Sequence, residues 1–222
     1  DIVISLTHFK AHEGTGFGGA LKNLGMGCGS RLGKKDMHAS EKPAVDQSRC
    51  VGCGVCAKNC AHGAITVTEH AHIDATKCAG CGRCIEKCPQ KCVHPMDDRA
   101  NEILSRKVAE YTAAVVRGRP CFHVALACDI SPYCDCYALN DAPILEDIGM
   151  FASFDPVAMD QCCVDMANAR KPLRNSLLYK REKPGAADHF TALFPETNWQ
   201  AGLEQGEKLG IGTREYEMEE MA

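Results

Sequence analysis

Apolar residues follow one another in three short stretches that predict β-strands. Residues 2–6 and 122–127 are almost continuous apolar runs, a pattern typical of buried strands. Residues 149–154 form a third stretch, and the Asp-Pro pair after it suits the start of a helix. The chain thus opens on a predicted core strand, so we expect it to be the C-terminal part of a longer polypeptide, or a processed or incompletely observed one.

Helical spacing is clearest between residues 97 and 116. Leu104, Val108, Tyr111 and Val115 recur at steps of four, three and four, which places them on one face of a helix. Further helices are predicted at residues 19–26, 155–169 and 199–210, and a short hairpin at residues 64–68 and 72–74.

Two cysteine runs of identical spacing occupy the middle of the chain. Residues 50–60 and 78–88 each read C-x2-C-x2-C-x3-C. In bacterial two-cluster ferredoxins with this spacing, the fourth cysteine of a run ligates the [4Fe-4S] cluster of the other run. The predicted ligands are Cys50, Cys53, Cys56 and Cys88 for one cluster, and Cys78, Cys81, Cys84 and Cys60 for the other.

Zinc and disulfides are the alternative uses of these cysteines. A zinc ribbon takes its ligands from separated C-x2-C pairs and needs no third cysteine at this spacing. Disulfides suit a small secreted scaffold, and no stretch of the sequence has the pattern of a signal peptide. One departure from the bacterial pattern is Ala61, which stands where proline is expected but where no ligand is needed.

The composition excludes several classes of protein function. The chain has 222 residues, a formal charge of −4 and sixteen cysteines. So many thiols predict a reducing, low-oxygen, cytoplasmic setting. The acidic balance argues against nucleic acid as a partner. No apolar run approaches the roughly 20 residues that a membrane span requires.

The glycine-rich stretch at residues 14–19 matches G-x-G-x-x-G only formally, because the preceding strand ends too early. We expect these glycines to allow close backbone packing. Arg31, Lys34 and Lys35 predict a basic loop, either a solvated face or a place where an anion is held near glycine N–H groups.

Cys134 and Cys136 are candidates for a third site. They follow the predicted strand 122–127, with Asp129 and Asp135 nearby, and in an extended C-x-C both side chains point the same way. The site would bind an additional metal ion or carry out thiol chemistry. The alternative is that both cysteines are small buried residues. Further candidate ligands are Cys28, His8 and His12.

Cys92 and at least one of Cys162 and Cys163 are expected to pack. Aligning the two runs places Cys92 opposite Ala64, a small and buried position. Cys162 and Cys163 are adjacent in a predicted helix, where neighbouring side chains point about 100° apart and cannot easily share one metal.

Four longer motifs resemble the uncharacterised iron–sulfur-centre proteins of domain of unknown function family 362. They are T-H-F-K-A-H at residues 7–12, G-F-G-G-A-L-K-N-L-G-M-G-C at 16–28, S-P-Y-C-D-C at 131–136 and F-A-S-F-D-P-V-A-M-D at 151–160. The resemblance covers nearly the whole chain, and proteins of that family are longer at the N-terminus. It implies a two-cluster ferredoxin module embedded in a larger α/β domain, in anaerobic bacteria and archaea, and supplies no reaction.

We therefore predict an α/β (α+β) domain with an inserted ferredoxin-like two-[4Fe-4S] module. The expected divisions are residues 1–45, 46–96 and 97–222. The leading hypothesis is electron transfer between a redox protein partner and a site in the α/β part. A redox enzyme acting on a small-molecule substrate and a metal or cluster carrier are the alternatives, both using the third site, and in the blandest case the extra cysteines merely pack.

Overall fold

The computed structural model describes residues 1–80, 82–97, 99–137, 140–182, 186 and 188–221, and for residue 41 the backbone alone. The chain divides into two compact units. Unit 1 comprises Asp1–Gly29 and Ser105–Ala222, and unit 2 comprises Ser30–Leu104.

The described residues form a mixed α/β structure, which confirms the predicted class at that level. The helices are α1 (Ala20–Cys28), α2 (Arg31–Met37), α3 (Val55–Lys58), α4 (Arg83–Lys87), α5 (Ala100–Val116), α6 (Pro156–Asn168), α7 (Leu177–Arg181), α8 (His189–Leu193) and α9 (Gln200–Lys208). The strands are β1 (Val3–His8), β2 (Lys10–His12), β3 (Gly16–Gly18), β4 (Pro43–Val45), β5 (Ile65–Val67), β6 (Ala71–Ile73), β7 (Val93–Pro95), β8 (Cys121–Ala127) and β9 (Gly149–Ser153).

Unit 1 is built on a three-stranded sheet in the order β1-β8-β9. Strand β1 runs parallel to β8, from the pair Val3–Cys121 to the pair His8–Leu126. Strand β9 is antiparallel to β8. The parallel pairing places the carboxyl ends of β1 and β8 at the same edge of the sheet, where the loops that carry the third candidate site begin.

The two faces of this sheet carry different side chains. Helices α1 and α6 pack against the face that holds Ser5, Thr7 and His123, all buried. The large apolar side chains of β1 point the other way, and Ile4 and Leu6 are 73% and 66% exposed. The strand at the start of the chain was predicted correctly, but the prediction that it is buried was wrong. An apolar run does not reveal which face the helices cover.

An aromatic cluster fills the interior of unit 1 beside the sheet. Phe9 lies 5.5 Å from Phe17 and 5.7 Å from Phe190, measured between ring centroids, and Trp199 lies 5.9 Å from Phe17. Phe9 and Phe190 are fully buried. These rings come from β3, α8 and the segments flanking β1 and α9, so the cluster joins both ends of the chain through apolar burial and edge-to-face contacts.

A buried carboxylate joins α1 to α6. The Asp160 oxygens accept hydrogen bonds from the backbone N–H groups of Ala20 (2.6 Å) and Leu21 (2.9 Å), so a residue of α6 caps the N-terminus of α1. Gly19 has no side chain because a Cβ there would overlap the Asp160 carboxylate. Burial raises the pKa of Asp160 to about 7, although the two N–H donors and the charge of Lys10 oppose the rise.

Unit 2 contains two short antiparallel pairs, β4 with β7 and β5 with β6. Helices α3 and α4 pack against each other, and each starts at a glycine in the left-handed conformation, Gly54 (φ +73°) and Gly82 (φ +66°). The interior consists largely of cysteine side chains with Ile65, Ala71 and Val93. The two halves of unit 2 thus repeat the same local structure, as their repeated cysteine spacing predicts.

Most predicted elements are present with shifted ends. The helix predicted at residues 97–116 is α5, and the predicted hairpin is β5 with β6. The basic loop predicted at residues 31–35 is wrong, because these residues form α2, whose N-cap Ser30 accepts a hydrogen bond from the N–H of Gly33 (3.0 Å). Among the described residues, no helix is long and apolar enough to cross a bilayer.

Replacing Asp160 by asparagine is expected to destabilise unit 1. The amide nitrogen cannot accept a hydrogen bond, so one of the two buried N–H groups of α1 loses its partner, at a cost of about 1–3 kcal/mol. Hydrogen exchange measured by mass spectrometry should show faster exchange in the peptide that contains α1. The matched control is Asp165→Asn, the same change at an exposed position of α6, which should leave α1 unchanged. Equal protection of α1 in both variants would contradict the capping role.

Candidate functional site

Five cysteines line one cavity in unit 2. Cys50, Cys53 and Cys56 come from the first run, Cys88 is the last of the second run, and Cys92 follows it. Four of these residues are less than 9% exposed, whereas Cys53 is exposed. The spacing assigns all of them except Cys92 to one cluster.

A second cavity lies in the other half of unit 2. It is lined by Cys78 and Cys84 from the second run and by Cys60 from the first. Cys81, the fourth residue assigned to this set, lies outside the described residues. Each described cavity is therefore bordered by cysteines of both runs, with the last cysteine of each run lying beside the cavity of the other.

Left-handed glycines and two short helices produce this arrangement. Gly54 and Gly82 turn the chain into α3 and α4, which places Cys56 and Cys84 in the first turn of each helix. The helices end before Cys60 and Cys88. The chain has then passed the cavity of its own run, so the fourth thiol of each run reaches the cavity of the other.

Backbone N–H groups point at several of the sulfur atoms. The N–H of Ala71 lies 3.3 Å from Cys50 Sγ, that of Ala64 lies 3.4 Å from Cys60 Sγ, and that of Gly80 lies 3.4 Å from Cys78 Sγ. Such donors favour the thiolate over the thiol. The N–H groups of Ala71 and Gly52 accordingly lower the pKa of Cys50.

Cys88 and Cys92 have opposite character although their sulfur atoms are 3.5 Å apart. Burial raises the pKa of Cys88, but N–H groups of residues 92 and 93 outweigh it and the net shift is downward. Burial and the neighbouring Cys88 and Cys50 raise the pKa of Cys92 to about 12. Cys92 is 3% exposed, which confirms its predicted buried position, and it remains a thiol beside a sulfur that favours the charged form.

The chemistry of these two cavities can be compared with what an iron–sulfur cluster needs. Thiols spaced around an open volume, with N–H donors for the negative sulfurs and glycines that admit close approach, are what a [4Fe-4S] cluster requires. The thiols of the first cavity fit such a group, and the described part of the second cavity supplies three of the four thiols that a second group would need.

The third candidate site lies in unit 1, at the edge where β1 and β8 end. Cys134 Sγ and Cys136 Sγ are 3.1 Å apart, and Lys22 Nζ lies 3.4 Å from Cys134 Sγ. Burial raises the pKa of Cys134, but Lys22 and the Cys136 thiol outweigh it, so the net shift is downward. Burial and the nearby Cys134 raise the pKa of Cys136 to about 11. One sulfur of the pair thus favours the thiolate and the other the thiol.

The two histidines proposed as ligands of this site have other hydrogen-bond partners. His8 Nδ1 lies 3.0 Å from Asp135 Oδ1, and His8 Nε2 lies 2.9 Å from the carbonyl oxygen of Cys128. His12 Nδ1 accepts hydrogen bonds from the N–H groups of residues 14 and 15. Cys28 is exposed at the end of α1. The structure therefore brings the two cysteines together. It places both nitrogens of His8 and one nitrogen of His12 within hydrogen-bond distance of other groups.

Two lysines complete this site, and sequence reasoning missed both. Lys10 Nζ lies 2.9 Å from Asp135 Oδ2, and Lys22 contacts Cys134 as described. Each lysine lies in a motif that also carries a predicted ligand, residues 7–12 for Lys10 and residues 16–28 for Lys22. The sequence around a lysine does not indicate that its side chain will contact a loop more than 100 residues away.

The chain belongs to the family described as domain of unknown function DUF362, whose family model matches residues 1–165. The match includes both cysteine runs and the C-x-C pair. No curated protein shows a significant match to the chain.

Two glycines beside Cys81 provide a matched test of how closely the backbone packs in unit 2. Both have positive φ, so alanine at either position costs about 1–2 kcal/mol. A Cβ at Gly82 meets no atom within 4 Å, whereas a Cβ at Gly80 would overlap the carbonyl group of His38. We expect Gly80→Ala to increase hydrogen exchange across residues 30–104 much more than Gly82→Ala. Equal effects would contradict the close approach at Gly80.

Proposed function

We propose that unit 2 binds two [4Fe-4S] clusters and that the protein transfers electrons between a redox protein partner and a site in the α/β unit. The observation that carries this proposal is the crossed lining of the two cavities, with Cys88 beside Cys50, Cys53 and Cys56, and Cys60 beside Cys78 and Cys84. Crossed fourth ligands distinguish a two-cluster ferredoxin arrangement from two independent sites.

The residues of unit 2 would hold these groups by charge and by shape. The thiolates supply the ligands, and the N–H groups of Ala64, Ala71 and Gly80 stabilise their negative charge. A bound [4Fe-4S] cluster would accept and release single electrons. The apolar side chains of Ile65 and Val93 exclude water from the inner walls of the cavities, and the environment of a cluster sets its potential in this way.

The first cavity also provides the access that a redox partner needs. Cys53 is exposed at its rim, and the neighbouring Val51 is 64% exposed. Electron exchange between proteins requires a group near the surface, whereas Cys50, Cys56 and Cys88 lie deeper. The rim at residues 51–53 is therefore the proposed point of contact with the partner.

Iron and sulfide content give the first test of the proposal. We expect about eight irons and eight acid-labile sulfides per chain after anaerobic purification, because two cubane clusters contain that many. The measurement is colorimetric iron and sulfide assay on fully loaded protein. A stable value of about four irons would remove one of the two clusters from the proposal.

Substitution of Cys60 tests the crossing of ligands. Because Cys60 lines the second cavity, Cys60→Ser should alter the same cluster as Cys84→Ser, a residue of the second run. Electron paramagnetic resonance after graded reduction should therefore give matching spectra for these two variants, and a different spectrum for Cys56→Ser. Cys121→Ser is the control, since it replaces a half-buried thiol of unit 1 that touches neither cavity. If Cys60→Ser instead matches Cys56→Ser, each run holds its own cluster.

A further inference from the structure

The loop that carries Cys134 and Cys136 is held in place from several sides. The N–H of Tyr137 donates to the Cys134 carbonyl oxygen (2.8 Å), closing a turn around the two cysteines. The Asn140 side-chain amide donates to the carbonyl oxygens of residues 133 (3.2 Å) and 134 (3.4 Å). Asp135, between the cysteines, pairs with Lys10 and His8. These contacts constrain the backbone that carries the two cysteines.

The two sulfur atoms are placed for reaction with each other. Their separation of 3.1 Å is a close approach, so that forming an S–S bond of about 2.05 Å requires only a small movement. Cys136 is exposed, whereas Cys134 is 5% exposed and has the Lys22 ammonium 3.4 Å from its sulfur. One thiol is thus accessible to an incoming molecule, and the other lies behind it beside a positive charge.

We propose that Cys134 and Cys136 form a redox-active thiol pair that reduces disulfide substrates and becomes an intramolecular disulfide in doing so. The pair is distinct from the eight cysteines assigned to clusters, and the proposal does not depend on the clusters. A small disulfide or an exposed protein disulfide is the class of substrate that the accessible Cys136 can receive.

The reaction takes place in two exchanges that balance. The Cys136 thiol first loses its proton to solvent; its sulfur then bonds to one sulfur of the substrate, the substrate S–S bond breaks, and the departing thiolate takes a proton from solvent. The Cys134 thiolate then bonds to Cys136 Sγ, the mixed disulfide breaks, and the second departing thiolate also takes a proton from solvent. Two electrons and two protons have passed to the substrate, which is now two thiols, and a low-molecular-weight dithiol can return the pair to its reduced state.

Lys22 is a positioning residue in this scheme. Its ammonium group favours the thiolate of Cys134 and thereby the second exchange, in which Cys134 is the attacking sulfur. It has no role in the first exchange, where Cys136 attacks. Lys10 forms an ion pair with Asp135, the residue between the two cysteines.

Disulfide mapping in the full chain tests the proposal without a variant. The protein is equilibrated in glutathione buffers of graded redox ratio, quenched with acid, alkylated and analysed by peptide mass spectrometry. We expect a Cys134–Cys136 disulfide that forms and is reversed by dithiothreitol. The adjacent buried pair Cys162 and Cys163 is the internal control and should stay reduced. If Cys134 and Cys136 are recovered as separate thiols at every ratio, or Cys136 carries only a stable glutathione adduct, the proposal is overturned.

A lysine variant separates the second exchange from the first. With bis(2-hydroxyethyl) disulfide, a neutral probe, Lys22→Gln should leave the mixed disulfide on Cys136 about tenfold longer than in the wild type, because Cys134 is less often a thiolate. Lys208→Gln, which removes an exposed lysine at the end of α9, is the matched control and should show the wild-type lifetime. An unchanged lifetime in Lys22→Gln would show that the charge beside Cys134 does not assist closure.

Discussion

The contact between the Asp160 carboxylate and the N-terminus of α1 is the interaction on which the arrangement of unit 1 depends. Asp160 is 1% exposed, and its carboxylate accepts hydrogen bonds from two N–H groups that would otherwise be buried without a partner. It also determines where α1 begins, and Lys22 is the third residue of that helix. The Asp160 carboxylate of α6 therefore helps to position the Lys22 ammonium group beside Cys134.

Unit 2 follows a different principle, because so much of its interior is made of cysteine. Ile65, Ala71 and Val93 supply the apolar part, and thiols supply most of the rest. A thiolate is poorly stabilised in an apolar interior unless hydrogen bonds or a cation compensate its charge. The N–H groups directed at the sulfur atoms supply part of that compensation. The cationic core of a proposed cluster would supply the remainder.

Local patterns predicted much of this structure, whereas contacts between distant residues were beyond them. The spacing of the cysteine runs predicted that Cys88 lies with the first run and Cys60 with the second, which agrees with the described cavity linings, and the steps of four and three predicted α5. The spacing could not show that Asp160 caps a helix 140 residues earlier, or that the His8 ring would lie within hydrogen-bond distance of Asp135. It also could not show which face of β1 is covered, since that depends on where α1 and α6 pack. Each of these outcomes is decided by a tertiary contact, for which a local pattern carries no signal.

The parallel pairing of β1 with β8 has a consequence for the order in which the chain folds. Ser5 and His123 are hydrogen-bonded neighbours in this sheet although 118 positions separate them. Bringing such distant segments together costs conformational entropy that rises with the length of the loop, by about 0.6 kcal/mol per doubling, and long-range strand pairing is slow. Unit 2 lies entirely within that loop, and its contacts are local by comparison. During synthesis all of unit 2 precedes β8, so its compaction can shorten the loop before the last strands of the sheet exist. The sheet of unit 1 is then completed late in folding, because β8 and β9 follow unit 2 along the chain.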